Sequence, residues 1–135
     1  MIVESSEEYI NQLLRRAHEV LKTAQRDMKA KAMRDAASRA YYCMFYAASA
    51  MLASQDIRVK KHKSVIGLFG AHIVKKGLIE GEYGRMINQA LDLRTLSDYA
   101  VSEPIDEAEV KLIVRNAARF LNRVEEILKQ REKKR

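Results

Sequence analysis

Apolar residues recur at spacings of three and four along most of the chain, which is the signature of helices with one buried face. Five segments follow it. The first runs roughly from Ser6 to Met28, with Ile10, Leu13, Leu14, Ala17, Val20, Leu21 and Ala24 in one stripe. Ser5 and Glu8 fit a capping box at its start. The second covers roughly Arg34 to Ser54. Its stretch AYYCMFYAASAMLA has no charge and is apolar almost all round. A helix of that kind is enclosed on several sides, so this one is expected to be the hub. The third runs roughly from Lys63 to Lys76 and carries Val65, Ile66, Phe69 and Ile73, with Gly77 as its C-terminal cap. The fourth runs roughly from Glu82 to Tyr99, with Tyr83, Met86, Ile87, Ala90 and Leu91 on one face. The fifth begins near Asp106, after Pro104, where Asp106 and Glu109 repeat the capping-box pattern. Its stripe is Leu112, Ile113, Ala117, Phe120, Leu121, Val124, Ile127 and Leu128. The pattern predicts an all-α fold, and the short connections predict antiparallel neighbours.

Composition narrows this picture. A chain of 135 residues suits a single domain, here with a core over about 6–128 and a basic tail at 129–135. One proline and five glycines are too few punctuators for an all-β protein. The lone Cys43 has no internal disulfide partner and sits in an apolar run, as a small core residue in a reducing compartment would. The start, MIVESSEEY, lacks a basic region followed by an apolar run, so no signal peptide is expected. The longest uncharged stretch, Ala40 to Ala53, falls short of the ~20 residues that span a bilayer. A cytoplasmic protein without membrane contact is the expectation. The net charge is +7, with clusters at Arg58-Val59-Lys60-Lys61-His62-Lys63 and at Lys129 to Arg135. Such charge favours phosphate-bearing or acidic partners. A solvated loop and a basic helix end would account for the same residues.

Three constellations could carry chemistry. Continued forward, the apolar face of the fourth helix meets Arg94, Asp98 and Tyr99. A charge on a core-facing stripe is costly unless it is paired. Arg94 and Asp98 stand four apart and can pair. The set reads either as an ion pair closing one end of the bundle or as a polar notch where Arg94 faces a phosphate. The second constellation is Ser38, Arg39, Tyr41, Tyr42 and Tyr46 on the hub helix, whose hydroxyls need partners that Asp98 or Arg94 could supply. The same tyrosines would equally suit core or interface. The third is His62, flanked by Lys60, Lys61 and Lys63, and able to act as a base when neutral. His18 and His72 read as ordinary surface or boundary residues. No histidine or carboxylate pair has zinc-ligand spacing, and LFGAHIVKKG lacks the GxxxxGK[ST] pattern of a phosphate loop. Neither a metal nor a cofactor is expected.

The segments SRAYYCMFYAASAML, KKHKSVIGLFGAHIVKKGLI and EYGRMINQALDLRTLSDYA, in this order, closely resemble the HEPN domain family, in its branch of small stand-alone bacterial and archaeal proteins. The resemblance covers about residues 6 to 128. It implies an up-and-down four-helix bundle with an additional short helix, homodimers, and a small nucleotidyltransferase as partner. It also implies, for some such pairs, a toxin–antitoxin module whose HEPN member is a metal-independent endoribonuclease. That nuclease signature is an arginine followed, after four to six residues, by a histidine. Arg94 matches the arginine. The following TLSDYAVS has no histidine, and Asp98 and Tyr99 stand near its place. Cleavage would then need its base from His62, Tyr99 or a dimer mate, with Arg94 stabilising the charged phosphorane. The favoured reading is a nucleotide- or RNA-binding accessory protein using Arg94, Ser38, Arg39, Tyr42, Lys60, Lys61 and Lys63. The alternatives are a ribonuclease toxin, with Arg94, Asp98, Tyr99 and His62 as catalytic candidates, and a non-catalytic dimeric interaction module.

Overall fold

A computed structural model describes residues 6–133, apart from the side chain of His62. The expected Ser5–Glu8 capping box has one member outside the described residues. Four long helices are present: α1 (Ser6–Lys29), α2 (Met33–Ala53), α4 (Gly81–Tyr99) and α5 (Glu107–Lys133). Between α2 and α4 lies the short α3 (Val65–Phe69), preceded by a 3-10 turn at His62–Ser64 and prolonged by a π turn at Gly70–Val74. The sequence pattern predicts one uniform helix here. Instead Lys75 N–H bonds to the Gly70 carbonyl five residues back, the spacing of a π turn. Among the described residues there is no strand, and no helix is long and apolar enough to cross a membrane.

Contacts set the directions of the helices. Arg39 of α2 meets Asp27 of α1, and Tyr46 meets Arg16, so α1 and α2 run antiparallel. Arg94 lies on Tyr41 and Tyr42 while Arg34 reaches the end of α4, so α2 and α4 are antiparallel too. Lys31 meets Glu107 at one end and Ser54 meets Arg131 at the other, so α5 runs parallel to α2. The result is the up-and-down bundle with its additional short helix.

The hub expected from the sequence is α2, which packs against α1, α4 and α5 at once. Ala36, Ala37, Ala40, Ala47, Ala48 and Ala50 are all buried, and side chains this small let the neighbouring axes come close. Phe69, Phe120 and Tyr83 join α3, α5 and α4, with ring centroids 5.4 Å and 5.9 Å apart. On α5 the buried line is Val110, Ile113, Val114, Ala117, Phe120, Leu121 and Val124. Leu112, placed on the stripe by spacing, is instead 47% exposed, because Val110 and Val114 take the core-facing positions.

Three helix ends share one device. Ala32 N–H bonds to the Asp27 carbonyl, Ile57 N–H to Leu52 and Leu78 N–H to Ile73, each with a left-handed residue just before the donor. These are Schellman closures. Gly77 at the third was legible as a cap; Lys31 and Asp56 at the other two carry side chains. At the start of α5, Asp106 Oδ1 accepts from Ala108 N–H at 2.9 Å. No return bond from Glu109 is present among the described residues.

Candidate functional site

Helices α1 and α4 flank α2 on either side and do not touch each other. The fourth side of α2 is therefore left to other parts of the chain. From Ala47 to Ala53 every residue of α2 is buried, and α3 packs on both α2 and α4. Toward the N-terminal half the same helix opens: Asp35 and Arg39 are exposed, and Ser38, Tyr42, Phe45 and Tyr46 are half-buried. The candidate site lies in this open half, between a wall made by α1 and a wall made by α4.

The α4 wall differs from the sequence expectation. The buried line on α4 is Tyr83, Met86, Ile87, Ala90, Leu93 and Ser97. Both Leu93 and Arg94 satisfy helical spacing from Ala90, and the apolar one turns inward. Ser97 follows it at no polar cost, since its hydroxyl donates to the Leu93 carbonyl at 2.8 Å. Arg94 consequently lies on the flank of the stripe, and Asp98 and Tyr99 do not continue the core: Tyr99 is 83% exposed.

The Arg94 side chain is 25% exposed and lies over two rings of α2. Its guanidinium carbon is 4.9 Å from the Tyr42 centroid and 5.4 Å from the Tyr41 centroid. Cation–π attraction at such distances is worth ~0.5–2 kcal/mol. Asp98 Oδ2 is 3.7 Å from Arg94 Nε, within ion-pair range but beyond a hydrogen bond, and that Nε is buried without a hydrogen-bond partner. Burial pushes the Tyr41 hydroxyl above the ordinary tyrosine value, and the nearby Arg94 charge opposes that rise.

The α1 wall brings a second guanidinium. Arg16 Nη2 donates to the Tyr46 hydroxyl at 3.5 Å, its carbon lies 5.5 Å from the Tyr46 centroid, and Glu19 pairs with it at 3.2 Å. Arg39 is drawn to Asp27 of α1 at 3.2 Å, yet the Asp27 Oδ2 it approaches has no aligned hydrogen bond. The Tyr46 hydroxyl therefore turns to Arg16 and not to Asp98 or Arg94. Tyr46 accepts from Arg16, and Arg94 takes ring faces.

The structure thus brings Arg94, Asp98, Tyr41 and Tyr42 together, with Ser38 one turn away along α2. Tyr99 stands exposed at the end of the α4 wall. Lys60, Lys61 and Lys63 are exposed on the connection between α2 and α3. Arg58, in the same connection, lies 4.3 Å over the Tyr9 ring of α1. The His62 side chain, a catalytic candidate, lies outside the described residues. Cys43 is fully buried, and burial pushes its thiol up to about 12. His18, read as an ordinary surface residue, has Nε2 2.8 Å from Glu125 and links α1 to α5.

Sequence reasoning missed Arg34. From the first turn of α2 it donates to the carbonyls of Ser97, Ala100 and Glu103, holding the end of α4 and the loop beyond it. One signal existed. A cation in the first turn of a helix opposes the macrodipole, as does Asp27 in the last turn of α1, so each had a reason to be engaged elsewhere.

A model of the HEPN domain matches residues 10–127 of the chain. A protein of Methanocaldococcus jannaschii named "Putative toxin MJ0605" is 38% identical over 123 residues, covering 91% of this chain and 91% of its own. A UPF0332 protein of Thermotoga maritima is 31% identical over 126 residues, covering 93% of this chain and 96% of its own. A second Methanocaldococcus jannaschii protein, named "Putative toxin MJ0142", is 28% identical over 119 residues, covering 88% of this chain and 81% of its own.

Proposed function

This chain belongs to the HEPN domain family, and on that footing we propose that it binds RNA or nucleotides through Arg94 in the open half of its groove, as an accessory protein to a nucleotidyltransferase. The state of Arg94 carries the reading. Two tyrosine faces hold its charge in place, no hydrogen bond among the described residues commits its guanidinium, and part of the side chain faces solvent. A structural ion pair would use its N–H groups on a carboxylate at close range; here the carboxylate stands off at 3.7 Å. A guanidinium backed by rings offers a phosphate its edge and a base its other face.

Tyr42 and Ser38 form the floor beside Arg94 in this reading. Arg39, Lys60, Lys61 and Lys63 add positive field around it, within a net charge of +7. Homodimerisation belongs to the same proposal. Leu96, Tyr99 and Val101 are exposed apolar residues at and just beyond the end of α4, and exposed apolar surface suits protein contacts.

The test is binding of labelled RNA and of mononucleotides at rising salt, comparing wild type with Arg94→Ala. Affinity is expected to fall steeply with salt and to drop at least tenfold in the variant at low salt. Absence of any binding at low salt would defeat the proposal.

A second reading, a metal-independent ribonuclease toxin, is favoured by the names of two relatives. Arg94 would stabilise the phosphorane, and Asp98, Tyr99 or His62 would take the 2′-hydroxyl proton. It predicts RNA cleavage in the presence of chelator, lost in Arg94→Ala with the fold intact. RNA left whole by the purified protein under every condition would sink it.

A further inference from the structure

Arg39 pairs with the carboxylate that suits the helices less. Asp35 stands four residues before it on α2, the order of acid and base that favours pairing along one helix. The two nevertheless form no ion pair among the described residues. Arg39 Nε instead lies 3.2 Å from Oδ2 of Asp27, in the last turn of α1, where the helix dipole disfavours a carboxylate. That Oδ2 is buried and has no hydrogen-bond partner, so charge alone holds the pair. The Arg39 side chain is 44% exposed, and no hydrogen bond among the described residues engages the rest of its guanidinium. Arg39 stands three residues before Tyr42, on which Arg94 lies, so the two cations belong to one turn of α2.

Resting on the reading proposed above, we infer that Asp27 is a counter-charge that regulates the Arg94 site. It holds Arg39 against the α1 wall, and an RNA phosphate must displace it to gain Arg39 as a further contact. A simple tie between α1 and α2 would use an aligned hydrogen bond and would not set its acid at a helix C-terminus. A partly exposed ion pair without a hydrogen bond is weak. A guanidinium can meet a phosphate through two parallel, charge-assisted N–H bonds, which are stronger. The exchange therefore favours the phosphate once Arg94 has brought the strand within reach. Before that, the Asp27 charge offsets that of Arg39, and an anion arriving alone finds less attraction there. Asp27 thus lowers affinity and makes binding depend more on Arg94.

The experiment measures binding of a labelled uridine hexanucleotide to the full chain at several salt concentrations. Asp27→Asn keeps the shape and removes the charge. It should tighten binding about three- to fivefold and steepen the salt slope by about one. Arg39→Ala should weaken binding about threefold. In the Arg39→Ala background, Asp27→Asn should change nothing, because the cation it frees is gone. Asp35→Asn removes an equal charge one turn away on α2 and should have the smaller effect. Asp27→Asn loses a weak pair and relieves the α1 dipole, so it should melt close to wild type. Equal tightening by Asp27→Asn and Asp35→Asn, or by Asp27→Asn with and without Arg39, shows only a change of field and overturns the counter-charge. Unchanged or weaker binding in Asp27→Asn, with affinity lost in Arg94→Ala, overturns it too and leaves the Arg94 reading standing. Unchanged binding in Arg94→Ala removes that reading and this inference with it.

Discussion

Replacing Arg34 by methionine should loosen the end of α4 that carries the candidate site. Three carbonyls lose a charged donor: those of Ser97, Ala100 and Glu103. A hydrogen bond to a charged group contributes ~1.5–3 kcal/mol at most when its partner is left dry. The three are not equivalent. Glu103 is exposed and Ala100 half-buried, so water can replace most of what the guanidinium gave there. Ser97 is 7% exposed, and its carbonyl has little access to water. The favourable position of a cation at the end of α4 adds ~0.3–1 kcal/mol. The expected loss is therefore ~2–3 kcal/mol, mostly from the Ser97 carbonyl. Methionine keeps the stem and its packing, so the loss reports the donor group. Arg34→Lys should recover less than half, since one ammonium cannot serve three carbonyls with a planar fork. Urea unfolding followed by circular dichroism measures the loss, and amide exchange at residues 98–103 locates it. A loss below ~1 kcal/mol with unchanged exchange at the end of α4 would refute the clamp.

Other outcomes follow from the same structure. The Arg123 guanidinium donates twice to Glu80, at 2.7 and 2.8 Å, and holds its carboxyl below the ordinary range. A depressed folded value gives stability that is complete above the unfolded value and is lost as pH falls through the folded one. The Glu80→Gln variant should thus show a smaller acid destabilisation below about pH 4.5 than wild type, by under ~1 kcal/mol because the pair is exposed; identical acid profiles would contradict this. Cys43 should resist a thiol reagent in the native state and react only on unfolding, and prompt labelling of native protein would show the burial to be wrong. Lys31 closes α1 in a left-handed conformation that glycine adopts freely, so Lys31→Gly should raise stability by ~0.5–1 kcal/mol after loss of the exposed pair with Glu107. Thermal melts that place it below wild type would argue against the strain. Phe69→Ala, deleting a ring between α3 and α5, should cost ~3–5 kcal/mol in chemical denaturation, and a cost under ~2 would mean that the cluster repacks.

The sequence by itself determined the helices and the enclosure of α2, because the period of apolar residues is a local property and a helix without a polar face has nowhere to go but inside. It also marked Gly77, Asp106 and Arg94, each through a residue type whose chemistry needs a particular setting. What it left undecided came from choices that spacing allows twice. Leu93 and Arg94 both follow Ala90, and only packing against α2 turned Leu93 inward and laid Arg94 on Tyr41 and Tyr42. Lys31 and Asp56 close helices without glycine, because the chain beyond them is pulled into place by the bundle. Arg16, Asp27 and Arg34 gained their partners only when distant segments met. The open half of α2 is left because α1 and α4 flank that helix without touching each other, while α3 packs on α2 and α4. A separation between two helices that never touch leaves no trace in the period of either one.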